Sequence, residues 1–307
     1  MSGGAVTWTA TRAGAGTRAL EVLATGPQTT IQDLGRVGLA GLGVGRSGAA
    51  DPGSLRLANR LLGNREGAAA LEVTFGGLEV RSVGGTWVAV TGATTPATVD
   101  GVPVGHAAVT WLPDGARLRL GAATAGLRSY LAVRGGIDVE PVLRSRSTDT
   151  LAGLGPAVPS PGSLLPVGRA PFAVPLVDVA PVAAPTTGEV RLRVVPGPRD
   201  DWFEPTALDA LLGGTYEVTS ESDRVGMRLS GPRLERAREG ELSSEGMVSG
   251  ALQVPPTGQP TLFLADHPVT GGYPVIGVVV AADIGRAAQA QPGQRLRFEI
   301  EGSVRRG

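Results

Sequence analysis

Three stretches concentrate side chains able to do chemistry beside glycine. The richest comprises Ser220-Glu221-Ser222-Asp223-Arg224, then residues 241–246, 253–258 and 266–274. Carboxylates, an arginine, a hydroxyl and the pair Gly271-Gly272 there follow strand-like segments, the layout of a polar pocket at a barrel mouth. Arg224 can hold a carboxylate by bidentate hydrogen bonds, and Glu245 or Asp266 can orient an amide or act as a base. The same residues would also serve as a salt-bridged barrel rim. A second stretch, 29–36, runs into the glycine-rich 38–48 and then Asp51. Glycine lets backbone approach a ligand closely, and Asp33 and Arg36 supply charge; an internal ion pair between them is the alternative. The third is Ser145-Arg146-Ser147-Thr148-Asp149, whose hydroxyls beside arginine suit an anion or amide but also suit ordinary side-chain-capped turns.

Other chemistry is excluded by residue type. There is no cysteine, so disulfides, thiolate metal sites and cysteine nucleophiles are ruled out. His106 and His267 are the only histidines. No Ser-His-Asp relay is legible, and a tightly bound metal is not expected. Lysine is absent, all 28 basic residues being arginine. A P-loop lysine, a lysine Schiff base and a biotin-carrying lysine are therefore impossible on this chain. The 28 basic residues balance 28 acidic ones, which removes the electrostatic case for binding nucleic acid or an anionic membrane. The longest apolar run, near 275–282, falls far short of the roughly 20 residues of a membrane span, and 1–17 lacks the apolar core of a secretory signal. A cytoplasmic location is the resulting expectation.

The elements that must position these groups read as mainly β. The chain has 307 residues with 47 glycines, 24 prolines and only 4% aromatics, a composition of many turns and few long helices. Strand-like segments recur at 20–24, 70–75, 78–82, 86–91, 107–112, 117–120 and 128–134. Arg117-Leu118-Arg119-Leu120 alternates with the period of two that puts one face on a core. Asp51 as cap, Pro52 at the first position and Gly63 as stop delimit one helix, with Leu55, Ala58, Leu61 and Leu62 on its apolar face. Prolines crowd 151–185, which reads as a long connection with one short strand at 173–177. Strands are expected again at 189–195, 215–219, 251–254, 261–265, 274–281 and 295–300. Short helices are expected at 206–212 and at 283–291, the latter capped by Asp283. A disordered tail over 1–18 and two β-barrel units, 19–185 and 186–307, meeting near 182–190, form the simplest architecture.

A set of motifs in order along the chain resembles one known family. They are TTIQDLGRVG (29–38), GAADPGSLRLANRLLGN (48–64), ALEVTFGGLEV (70–80), RSYLAVRGGIDV (128–139), SRSTDTLAGLG (145–155) and RVVPGP (193–198). SDRVGMRLSG (222–231), ELSSEGMVSGALQVPPTGQP (241–260), ADHPVTGGYPVI (265–276) and AQAQPG (288–293) complete it. The chain resembles the biotin-dependent carboxyltransferase-like family that contains the C subunit of prokaryotic 5-oxoprolinase, also called KipA or allophanate hydrolase subunit 2. It is similar, too, to part of the carboxyltransferase region of urea carboxylase. Asp223 stands where the family often has Asn, and His267-Pro268-Val269 replaces a stretch often containing Gln-Thr-Thr.

The resemblance implies cyclophilin-like β-barrel units and a cytoplasmic heteromer with two further subunits, one KipI-like and one of LamB/YcsF type. It implies ATP-dependent hydrolysis of 5-oxoproline to glutamate in the assembled complex, with Mg²⁺ accompanying ATP and no covalent biotin on this chain. Regulation of a histidine kinase through a KipI-like partner, or carboxyl transfer to urea or allophanate, are the alternatives it carries. For a substrate bearing one carboxylate and one lactam, the expected binding groups are Arg224, Gln253, Gly271, Gly272, Asp33, Arg36, Ser147 and Asp149. Glu245, Asp266, Thr270 and Tyr273 are the expected catalytic set.

Overall fold

The computed structural model describes residues 18–172, 177–240 and 242–302. The chain divides into two compact units. Their main boundary falls between Pro185 and Thr186, but two loops, Arg36–Asp51 and Asp149–Gly153, belong to the second unit.

The first unit is two antiparallel sheets. One orders its strands Leu164–Pro166, Ala19–Thr25, Leu78–Val83, Arg117–Leu120, Ala97–Val99 and Val102–Val104. The other runs Gln28–Gln32, Ala70–Thr74, Ala125–Val133, Thr86–Thr94 and Val109–Leu112. Alternation works as expected: in Arg117–Leu120 the arginines face solvent while Leu118 and Leu120 are buried. Leu20, Val22, Ile31, Leu71, Val73, Val80, Val88, Leu131 and Val133 join them in one core. The strands form two sheets here rather than one closed ring. The outer strands of the six-stranded sheet carry Pro103 and Pro166, and a proline has no N–H with which to extend a ladder.

Helix α1 (Pro52–Leu61) lies against the strands Thr86–Thr94 and Ala125–Val133. Its buried face includes Leu55, Ala58 and Leu61, and also Asn59. Asn59 Nδ2 donates to the carbonyls of Glu66 (3.2 Å) and Ala68 (2.8 Å), while its Oδ1 accepts from Asn64 Nδ2 (3.0 Å). Asn64 in turn donates to Val133 O (2.9 Å) and accepts from Gly135 N (2.8 Å). Two amides thus tie the helix exit to the end of a central strand.

The second unit is a closed seven-stranded barrel. Its strands run around the ring as Val190–Pro196, Val275–Val279, Ala251–Gln253, Thr261–Phe263, Gly226–Ser230, Tyr216–Val218 and Arg295–Ile300. Parallel pairing of Val190 through Val194 with Leu296 through Ile300 closes it. Leu192, Val194, Leu229, Leu252, Leu262, Ile276, Leu296 and Phe298 fill the interior with Tyr216. Burial pushes the Tyr216 phenol up to about 12, and its hydroxyl donates to Pro232 O at 3.2 Å. Helix α2 (Ala207–Gly213) matches its expected position.

Helix α3 (Ala281–Ala288) starts two residues before its expected start, and Asp283 is not its cap. Asp283 instead accepts from Arg193 N (2.8 Å) and Nε (3.0 Å) on a barrel strand. A long-range partner outcompetes the local capping role. The Pro-rich connection contains one described strand, Leu164–Pro166, while most of the strand expected at 173–177 lies outside the described residues, as does the expected tail. No helix among the described residues is long and apolar enough to cross a membrane.

Candidate functional site

In the second unit, the residues expected to form a pocket divide into a buried brace and a more open strip. The brace is Arg224 with Asp266, both about 1% exposed. Arg224 leaves the barrel just before the strand Gly226–Ser230, and Asp266 follows the strand Thr261–Phe263 that pairs with it. Backbone bonds from Leu264 N to Val225 O and from Asp266 N to Arg224 O, each 3.0 Å, continue that pairing past the strand ends. The side chains consequently meet. Arg224 Nε donates to Asp266 Oδ2 at 2.9 Å and Nη2 to Oδ1 at 3.0 Å.

Two loops complete this brace. Ser47 Oγ donates to Asp266 Oδ1 (2.6 Å), and Thr150 donates to Oδ2 from both its backbone N (2.9 Å) and its hydroxyl (2.8 Å). Arg224 Nη2 also reaches Gly48 O at 2.7 Å. Burial works against the charged carboxylate, but Arg224, Ser47 and the Thr150 amide outweigh it and hold Asp266 below the usual carboxylate range. Ser47 sits at φ 54, a left-handed conformation uncommon for a residue with a Cβ. Asp149, also buried, folds its own turn by accepting from the N–H groups of Leu151 and Ala152. A Cβ on Gly45 would lie 3.5 Å from Asp149 Oδ2 and 3.7 Å from His267 O, so the glycine lets these segments adjoin. Arg36 N donates to Arg46 O (2.7 Å), closing the base of the same loop.

The strip begins where Glu245–Gly246 pairs with Thr270–Gly271 in a two-stranded ladder. Glu245 is held by Arg199, whose Nε donates to Oε1 at 2.8 Å and Oε2 at 3.1 Å. That pairing keeps the Glu245 carboxyl below its ordinary range. Both side chains retain solvent access, 38% for Arg199 and 28% for Glu245. Gln253, on a barrel strand, donates from Nε2 to Tyr273 O (3.2 Å) and lies 3.9 Å from Met247 Sδ. A Cβ on Gly271 would fall 2.5 Å from that Nε2, so the ladder passes Gln253 closely only because Gly271 has none. Leu242 N donates to Gly272 O at 2.9 Å, and Thr270 is exposed. Met247, Ala251, Phe263 and Val275 form a small apolar cluster beneath. The His267 ring stands 6.4 Å from the Phe263 ring, with Nδ1 2.8 Å from Pro268 O. Because a carbonyl can only accept, that contact places a proton on Nδ1.

Asp33 and Ser147 belong to the first unit. Asp33 Oδ1 accepts from Gly35 N (2.7 Å), Ser145 Oγ (2.7 Å) and Ser147 Oγ (2.6 Å), and Oδ2 accepts from Arg146 N (2.6 Å). The third polar stretch is therefore a turn organised around the carboxylate of the second. Arg199, Ser47, Thr150 and Met247 are contributors the sequence reading did not single out. Ser47 lies in the flagged glycine-rich stretch, Thr150 directly follows a flagged run, and Arg199 directly follows the RVVPGP motif. Nothing in their local sequence reveals which carboxylate each meets. Among the described residues no group of three or more His, Asp or Glu is arranged to hold a metal ion.

This chain matches the family described as carboxyltransferase domain, subdomain A and B, over residues 42–300. It is 38% identical to the 5-oxoprolinase C subunit of Escherichia coli over 282 residues, covering 91% of this chain and 90% of that protein. Identity to the 5-oxoprolinase C subunit of Haemophilus influenzae is 33%, with the same coverage. Urea amidolyase of Saccharomyces cerevisiae is 33% identical, but the chain spans only 16% of it. Among solved structures, TTHA0988 superposes with a TM-score of 0.84 at 34% identity, over 92% of this chain and 56% of that one. The urea amidolyase of K. lactis gives 0.85 at 30% identity, over 91% of this chain and 18% of that one. The chain thus spans little more than half of one structural relative and under a fifth of the other, yet nearly all of the two bacterial 5-oxoprolinase proteins. A match over most of its length, with relatives above 30% identity over 90% of theirs, makes this chain a member of the carboxyltransferase domain family, subdomain A and B.

Proposed function

We propose that this chain is the C subunit of an ATP-dependent 5-oxoprolinase, opening the lactam of 5-oxoproline to glutamate together with two partner subunits. The observation that carries the reading is the 38% identity extending over 90% of the E. coli protein. The strip around Arg199 and Glu245 supports it chemically. A 5-oxoproline carboxylate calls for an arginine fork, and Arg199 keeps solvent access while Arg224 is buried against Asp266. Glu245, kept ionised by Arg199, is the proton acceptor, and Thr270 with the Gly271-Gly272 backbone faces the lactam. Gln253 and Tyr273 hold that turn in place. Asp266 and Arg224 act as positioning residues that fix the loops bearing Ser47 and Thr150, as Asp33 does for Ser147.

ATP supplies the driving force when bound. No lysine is present on this chain to reach its phosphates in the manner of a P-loop. The two partners are one KipI-like chain and one of LamB/YcsF type. The complex works in the cytoplasm. The test is reconstitution of the chain with both partners, following glutamate and ADP formation from 5-oxoproline. Turnover that requires all three chains supports the reading. A stable complex that leaves 5-oxoproline intact, or full turnover by the isolated chain, overturns it.

A further inference from the structure

A cleft of about 320 Å³ lies on the second unit, between the turn joining the strands Tyr216–Val218 and Gly226–Ser230 and the segment 255–261. That volume is at the lower end for small-molecule sites and suits one small metabolite. Its walls are held by the chain itself. Thr219 N donates to Arg228 O (3.0 Å), Leu229 N to Pro260 O (3.1 Å) and Gly258 N to Pro255 O (2.9 Å). Gln259 Oε1 accepts from Gly231 N at 2.9 Å, and its Nε2 donates to Gly231 O at 3.0 Å. Pro255 and Pro260 stiffen the backbone on the same side. A cleft formed in advance loses little order when it is filled.

Two opposite charges line it, Glu221 and Arg228. Arg228 Nε approaches Glu221 Oε2 no closer than 3.8 Å, and the side chains are 61% and 78% exposed respectively. So long and so wet a pair contributes little to the fold, and each member can take another partner at small cost. The rest of the polar lining is neutral. Ser220, Ser230 and Thr261 make no side-chain hydrogen bond among the described residues. The carboxylate and ammonium of an α-amino acid sit on one carbon, so its site needs a cation and an anion side by side. Arg228 beside Glu221 is that arrangement, and their charges cancel as those of the zwitterion do. A simple anion would be drawn to Arg228 but repelled by Glu221, and a simple cation the reverse.

We propose that this cleft binds a free α-amino acid with an uncharged polar side chain. Its carboxylate meets the Arg228 guanidinium, its ammonium meets Glu221, and its side chain lies among the hydroxyls of Ser220, Ser230 and Thr261. Neither charged residue belongs to the strip around Arg199 and Glu245, and the inference stands apart from the oxoprolinase reading.

Calorimetry on the purified full chain tests this, with L-serine, L-glutamine, N-acetyl-L-serine and ethanolamine as probes. Both amino acids should bind saturably at one site per chain. N-acetyl-L-serine keeps the carboxylate without the ammonium, and ethanolamine keeps the ammonium and hydroxyl without the carboxylate. Each should bind at least about tenfold more weakly than L-serine. Arg228→Gln and Glu221→Gln should each weaken L-serine binding by more than about tenfold, with the melting temperature moved by no more than about 1 °C. No saturable binding of either amino acid to the wild-type chain overturns the proposal, whatever the variants do. N-acetyl-L-serine or ethanolamine binding as tightly as L-serine also overturns it, because the cleft is then a site for a single charge. Unchanged affinity in both variants overturns it too, because the ligand then sits elsewhere.

Discussion

Asp266 shows how environment sets the role of a single carboxylate. The sequence reading offers it as a base and Arg224 as a fork for a substrate carboxylate. In the folded unit they face each other, out of water, with Ser47 and Thr150 occupying both Asp266 oxygens. Removing one member leaves the other charge buried and unpaired, so Arg224→Ala or Asp266→Asn should each cost about 3–5 kcal/mol in denaturant unfolding. Because the Asp266 carboxyl is depressed in the fold, its contribution is present above the unfolded value of about 4 and disappears as pH falls through the folded value. Wild type should therefore lose stability on acidification in a window where Asp266→Asn loses less; parallel curves would show that the pair does not set acid sensitivity. Glu245 behaves differently, being solvent-accessible and paired with an arginine that is also solvent-accessible. Glu245→Gln should abolish glutamate formation by the assembled enzyme with its melting temperature unchanged, and retained turnover would remove Glu245 from the catalytic role.

At the level of elements, side-chain amides matter as much as strand patterning. Helix α1 begins at Pro52, and Gly63 takes φ 67 just beyond its end, as the residue order requires. Its attachment depends on Asn59, which is fully buried and bonded to two carbonyls and to Asn64. Asn59→Ala leaves the two carbonyls without that donor and Asn64 Nδ2 without that acceptor, and should cost about 2–3 kcal/mol, measured as a shift in denaturant midpoint at constant slope. A change under half that value would mean water replaces the amide. The turn at Gly76 is equally unforgiving. A Cβ there would overlap the Gly121 carbonyl, and φ is +85, so Gly76→Ala should destabilise by at least about 2 kcal/mol. Neither effect follows from hydrophobic periodicity.

For the molecule as a whole, composition limits the chemistry more than any motif does. With no cysteine or lysine and one histidine in each unit, cofactor-carrying side chains are scarce. Elemental analysis of the purified chain should find no stoichiometric zinc or iron, and intact mass should show no biotin adduct; either finding would reopen a cofactor-bearing role. The division into units explains how distant loops serve one barrel. Arg36–Asp51 and Asp149–Gly153 are embedded in first-unit sequence but are part of the second unit, where they supply Ser47 and Thr150 to Asp266.

Local signals in the sequence determine much of this protein by themselves. Period-two alternation and glycine turns suffice for the mainly β class, and the proline and glycine at its two ends suffice to delimit α1, because these are interactions between near neighbours. Residue counts alone remove thiol and lysine chemistry. The ordered motifs carry the family, which is a property of the whole string. Tertiary structure decides what a given charge faces. Asp283 reads as a helix cap but bonds Arg193 on a strand 90 residues away, and Arg224 reads as a free fork but is buried against Asp266, with Gly48 O 176 residues away. Arg199 and Glu245 are 46 residues apart and neither flags the other. Nothing local distinguishes an arginine awaiting a ligand from one already paired. A charge's partner is set by chain closure over tens to hundreds of residues, and only the folded barrel brings those ends within hydrogen-bonding reach.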